Sequence, residues 1–109
     1  MFTETKVWSA KEVEQVWQKT VGSVSQGQDA AGAIISFSQY GNTHDELNHG
    51  WEIDHIKPRA LGGSDDIGNL RALHWQNNRS KGDNYPEYTA VVSSENGRNV
   101  SKRVARIIK

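Results

Sequence analysis

The side chains of this sequence best suited to chemistry lie between Trp51 and Asp83: adjacent Asp54 and His55, carboxamides at Asn69 and Asn78, and Lys81 behind them. Neighbouring side chains of an extended segment leave opposite faces, so a carboxylate and an imidazole side by side can address two different partners. An unperturbed imidazole titrates at about 6.5 and is largely neutral at pH 7, where it can accept a proton. The chain has no cysteine. A metal would therefore find only histidine nitrogens and oxygen donors, and no disulfide framework can form. A lone Asp-His pair occurs by chance, so the information lies in the order and spacing of the whole set.

The elements that must position these groups can be read from periodicity. Trp51 to Ile56 alternates apolar and polar residues, which predicts a strand with Trp51, Ile53 and His55 on one face and Glu52, Asp54 and Ile56 on the other. Pro58 ends regular pairing. Leu61 to Gly68 is a turn-forming connection in which Gly62-Gly63 permits a tight path. Leu70 to Leu73 resumes as a strand, and His74 to Lys81 is helix-compatible and closed by Gly82. Upstream, Ser9-Ala-Lys-Glu12 is a capping box for a helix from Ala10 to Thr20, with Val13, Val16, Trp17 and Thr20 on one stripe. Val21 to Asp29 is loop, Ala31 to Ser38 a buried strand, and Tyr40 to Gly50 a polar approach to the motif. Downstream, Tyr88 to Ser93 is a strand and Glu95-Asn-Gly97 a turn. Val100 to Ile108 fits a returning strand or a terminal helix, of which the helix is favoured. The four tryptophans, Trp8, Trp17, Trp51 and Trp75, are core anchors with polar edges.

Asp54-His55-Ile-x-Pro, the Gly-Gly loop, Asn69-Leu70 and Asn78-x-x-Lys81 together resemble the HNH endonuclease family, the small phage and bacterial His-Me finger nucleases. The resemblance implies an α+β fold with a ββα-metal core, preceded by an N-terminal helix and joined by further short strands or a helix. It implies one nuclease domain over residues 1–109, with an N-terminal helix and loop at 1–28, the core at 51–83 and a basic segment at 98–109. By the family pattern His55 is the general base that takes a proton from water, and Asn69 supports catalysis by holding the His55 ring. Asp54 and Asn78 are the metal ligands, with His74 a third candidate and Asn77 a competitor for the place of Asn78. The family often carries histidine where Asn78 stands. Carboxylate and amide oxygens make a hard site, favouring Mg²⁺ or Mn²⁺ over Zn²⁺, Ni²⁺ or Co²⁺. The implied activity is metal-dependent hydrolysis of phosphodiester bonds in DNA by nicking, RNA being the other nucleic-acid candidate. The alternative is a binding module on the same scaffold with cleavage weak or lost.

Charge is uneven along the chain. Residues 98–109 hold five basic and no acidic side chains, although the whole sequence carries 13 of each. Arg98, Lys102, Arg103 and Arg106 of that block, with Lys57, Arg59, Arg79 and Lys81 around the motif, are the candidates for neutralising phosphates. A homodimer or a larger nuclease complex would supply a second active site for double-strand cleavage. No stretch approaches the roughly 18 apolar residues of a membrane span, and no apolar leader opens the chain, so a cytoplasmic protein without a membrane partner is expected.

Overall fold

The computed structural model describes residues 7–108, and all structural statements below concern those residues. Helix α1 spans Ala10–Thr20, as its capping box requires: Ser9 Oγ accepts from Glu12 N at 3.1 Å, and Glu12 Oε1 accepts from Ser9 N at 3.0 Å. Its buried stripe is Val13, Val16 and Trp17. This stripe packs with Ile35, Trp51, Ile53, Leu70 and Ala72 in the principal core. The Trp17 and Trp51 ring centroids lie 5.2 Å apart. Both indole N–H groups reach main-chain carbonyls, Trp17 that of Val24 and Trp51 that of Phe37. Trp8 and Trp75 are only half buried, Trp8 packing against the edge of this core.

Three two-stranded antiparallel sheets follow. Strand β1, Gln26–Gln28, pairs with β2, Ile34–Ser36. The strand expected over residues 31–38 is shorter, because Asp29 Oδ1 captures the amides of Ala31 and Ala33 and a 3-10 turn begins at Phe37. Strand β3, Trp51–His55, pairs with β4, Leu70–His74, with Asp54 opposite Arg71 and His55 opposite Leu70. Helix α2, Trp75–Lys81, leaves β4 directly. Strand β5, Glu87–Glu95, pairs with β6, Arg98–Ile107. The segment favoured as a terminal helix is thus a strand. Asn96 and Gly97 take φ of 52° and 76°, the two positive values of the two-residue turn that best joins twisted antiparallel strands. That turn folds the segment back onto β5, where pairing satisfies its main chain.

Buried polar groups tie the elements together. Asp29, 6 % exposed, accepts through Oδ2 from His74 N and Asn77 Nδ2, joining the first loop to the start of α2. Asn77 also accepts from the Val91 and Val92 amides and donates to Val92 O, fastening α2 to β5. Lys19 Nζ donates to the carbonyls of Ile67, Gly68 and Leu70, anchoring α1 to the chain entering β4. Among the described residues no helix is long and apolar enough to cross a membrane.

Candidate active site

The pleat of β3 sorts the motif onto two faces. Trp51 and Ile53 join the core beneath α1, and His55 continues that face to its edge, where its ring lies 5.6 Å from that of Trp8. Glu52 and Asp54 point the other way, toward α2. Since His55 is the last residue of β3, imidazole and carboxylate emerge at the same strand end from opposite sides.

His55 is held by a residue that the motif did not suggest. Its Nε2 lies 2.7 Å from Asp65 Oδ1, with side-chain exposures of 19 % and 39 %. A carboxylate accepts only, so a neutral imidazole here carries its proton on Nε2 and presents Nδ1 as the basic nitrogen. Asn69, expected to hold the ring, holds the loop instead. Its Oδ1 accepts from Lys57 N at 2.9 Å, and its Nδ2 donates to Lys57 O at 3.0 Å and Ser64 O at 2.8 Å. Both amide protons are thereby spent on main chain. The carboxamide cross-ties the two ends of the loop that carries Asp65, so it acts on His55 through that loop. Gly63 belongs to the same closure: a Cβ there would stand 1.7 Å from Lys57 O.

Asp54 is 4 % exposed and doubly paired, Oδ2 accepting from Arg71 Nε at 2.9 Å and Oδ1 lying 3.2 Å from Lys81 Nζ. Lys81 is fully buried and donates to His55 O at 3.0 Å. The expectation that Lys81 meets phosphate directly is overturned, because its charge is spent inside, on Asp54 and the main chain of the base. Asn78 Nδ2 donates to Glu52 Oε1 at 3.1 Å, which turns its amide oxygen away from Glu52. Glu52 also receives both Arg79 Nε and Nη2, and these bonds hold Arg79 firmly in its charged form, its pKa raised. Arg79 is 59 % exposed, with its Cζ 5.8 Å from the centre of the Trp75 ring.

The competing ligand candidates fall away. Asn77 is fully buried and its donors and acceptor serve Asp29 and β5. His74 caps α2: Nδ1 accepts from Gln76 N and Nε2 is bonded to Asn48 O at 2.7 Å. With both ring nitrogens engaged and no exposure, His74 has no lone pair to offer a metal. Burial pushes its pKa below the ordinary imidazole value, keeping it neutral.

Of the expected phosphate contacts, Lys57, Arg59, Arg98, Lys102 and Arg103 are exposed, whereas Arg106 is half buried and donates through Nη2 to Ala31 O. Among the described residues no group of three or more His, Asp or Glu side chains is arranged around a metal position. Asp54 and Asn78 would offer a carboxylate and an amide oxygen, donors of the kind a hard divalent cation takes when water and substrate complete its shell. Each Asp54 oxygen uses one of its two acceptor directions, so it retains capacity for a cation.

Helix α2 follows directly on the β3–β4 pair, with a histidine closing the first strand and a polar loop between the strands. Residues 39–84 match the family model described as HNH endonuclease. Neither the curated proteins nor the solved structures give a match to the chain.

Proposed function

We propose that this protein is a metal-dependent endonuclease that hydrolyses phosphodiester bonds in DNA, nicking one strand at each active site. The observation that carries the reading is the His55–Asp65 pair at the end of β3, with the Asp54 carboxylate on the α2 side of the same strand end. In this reading His55 Nδ1 removes a proton from a water as its oxygen bonds to phosphorus and the bond to the leaving alkoxide breaks. Asp65 keeps the ring aligned and balances the imidazolium that forms. Asp54 and Asn78 would hold the divalent cation, Mg²⁺ or Mn²⁺ by donor type. The chemistry that cation supplies when bound is neutralisation of charge developing on the phosphoryl and leaving oxygens. Arg71 and Lys81 fix the Asp54 carboxylate, and Asn69 fixes the loop that presents Asp65. The exposed bases Lys57, Arg59, Arg79, Arg98, Lys102 and Arg103 draw in the phosphate backbone without reading sequence.

The test is relaxation of supercoiled plasmid with Mg²⁺, Mn²⁺ or EDTA. Open circles should form with metal, vanish with EDTA, and form only at a small residual rate for His55→Ala and Asp54→Ala. Equal nicking by wild type and His55→Ala would remove the base assignment. A second reading draws on the two cations already matched to Asp54: a nucleic-acid-binding module that does not cleave. It predicts retardation of DNA on a gel with no nicking under any metal.

A further inference from the structure

Two arginines from different sheets converge on a cleft beside the Asp54 face, and each brings a buried donor that the fold leaves unused. Among the described residues, Arg71 Nη2 and Arg106 Nε are buried side-chain nitrogens with no hydrogen-bond partner. Such groups are rare in folded proteins, and each asks for an explanation. Both residues line one cleft of about 400 Å³, together with Ile56, Tyr88 and Ile108. Arg71 is fixed there by its Nε bond to Asp54 and by its position 5.5 Å from the centre of the Tyr88 ring. Arg106 stands opposite Tyr88 in the β5–β6 register and is fixed by its bond to Ala31 O. The cleft therefore lies where the β3–β4 pair meets the C-terminal hairpin, one residue beyond His55 in the chain.

Charge decides what the cleft can take. Arg71 and Arg106 bring two positive charges to a lining that holds no carboxylate. The unused N–H groups belong to two separate guanidinium groups. A planar carboxylate is served best by one guanidinium fork, whereas a tetrahedral oxyanion can accept from two guanidinium groups at once. The apolar walls at Ile56 and Ile108 suit the carbon of an attached sugar.

We propose that the Arg71–Arg106 cleft is a phosphate-binding subsite that takes a phosphoryl group of the nucleic-acid strand, apart from the phosphate undergoing attack. The proposal rests on the nucleic-acid reading above for its partner. It does not rest on cleavage. Arg106 and Tyr88 lie outside the matched HNH segment, so the subsite is an addition made by the C-terminal hairpin.

Binding measured in EDTA separates this proposal from nuclease activity. Fluorescence anisotropy of a labelled duplex across a salt series should show Arg106→Gln binding about tenfold more weakly, with the salt slope reduced by about one, as for loss of one phosphate contact. Arg106→Lys should fall between. A second arm needs no variant: inorganic phosphate should raise the thermal midpoint of wild type above that in chloride of equal ionic strength, and should not do so for Arg106→Gln. Weakened duplex binding together with phosphate stabilisation supports the strand phosphate as occupant. Phosphate stabilisation with unchanged duplex binding overturns that source in favour of a free phosphate or mononucleotide. Absence of both effects overturns the subsite, and if Arg106→Gln fails to fold, absence of phosphate stabilisation in wild type overturns it alone. Failed nicking alongside weakened duplex binding would sink the nuclease reading and leave the subsite standing.

Discussion

Asp65→Ala should slow nicking without unfolding the protein. The carboxylate lies 2.7 Å from His55 Nε2, and with 39 % exposure it is the wetter member of the pair. A hydrogen bond to a charged group contributes about 1.5–3 kcal/mol when sheltered, and exposed ion pairs contribute about 0.2–1 kcal/mol. A partly exposed pair falls between, at about 1–1.5 kcal/mol, or roughly a 5- to 15-fold effect on a step that charges the imidazole. Loss of ring orientation adds to this, as removing the partner of an oriented histidine typically costs about 10- to 100-fold. A fall in kcat of about 10- to 100-fold is expected, with KM for DNA little changed because Asp65 acts as a positioning residue. Asp65→Asn, which keeps an acceptor without the charge, should lose less, about 3- to 10-fold. Initial rates of nicking give these values, and a double-mutant cycle with His55→Ala supplies the refutation. If Asp65 acts through His55, its removal should cost nothing further once the imidazole is gone. An equal loss in both backgrounds would mean that Asp65 shapes the loop or repels DNA, and the pair would lose its catalytic reading.

Stability should fall as pH drops below about 6.5, because burial lowers the His74 pKa in the fold. The unfolded chain then takes a proton that the native state refuses. The contribution is fully present above the unfolded value and is lost below it, at no more than about 1.4 kcal/mol per pH unit for one proton. In urea melts from pH 7.5 to 5.5, His74→Asn, which keeps an acceptor at the helix cap, should be less stable throughout but flatter; an equal slope would contradict the assignment. Gly63→Ala places a methyl against Lys57 O and should both lower the thermal midpoint and reduce nicking. Retention of both would show that the loop has slack. Lys81→Met leaves Asp54 buried with Arg71 alone and should cost about 3 kcal/mol in urea melts, the lower end for a broken buried pair. Little change there would argue that the carboxylate tolerates a single cation.

The parts of the fold legible in the sequence are those where a local signal has one structural meaning. Ser9 and Glu12 in a capping box mark where α1 begins, and alternation at Trp51 to Ile56 fixes which β3 side chains share a face. The C-terminal segment misleads for a geometric reason. Val100, Val104 and Ile108 recur every fourth residue, a spacing that keeps side chains on one face under a period of 2 and nearly so under 3.6. The turn at Asn96-Gly97 is the better guide, because it commits the following residues to pair backwards. At the site, the type and spacing of His55, Asp54, Asn69 and Asn78 were legible, but the partners were not. Nothing in the run Ser64-Asp65-Asp66 distinguishes the carboxylate that reaches His55 from its neighbour. That choice depends on the path of a loop closed by Gly63 and Asn69. Arg71 could have been found from register alone, since a strand pair that sets His55 against Leu70 must set Asp54 against Arg71.

The inversion at Lys81 follows from the same limit and alters how the site's electrostatics work. One helical turn beyond Asn78, a lysine on an exposed face would meet solvent and phosphate. In the fold that turn of α2 lies against β3, and the ammonium is bonded to the carbonyl of His55 and paired with Asp54. Taking both ions out of water costs several kcal/mol each before their attraction is counted, so the arrangement contributes less to stability than its contacts suggest. It contributes position. A carboxylate gripped by Arg71 from one side and Lys81 from the other cannot rotate freely, and the main chain that carries the base is tied to the same ammonium. Asp54 and His55, which the pleat sends to opposite faces, are thereby locked to each other through Lys81, so displacing one of them displaces the other.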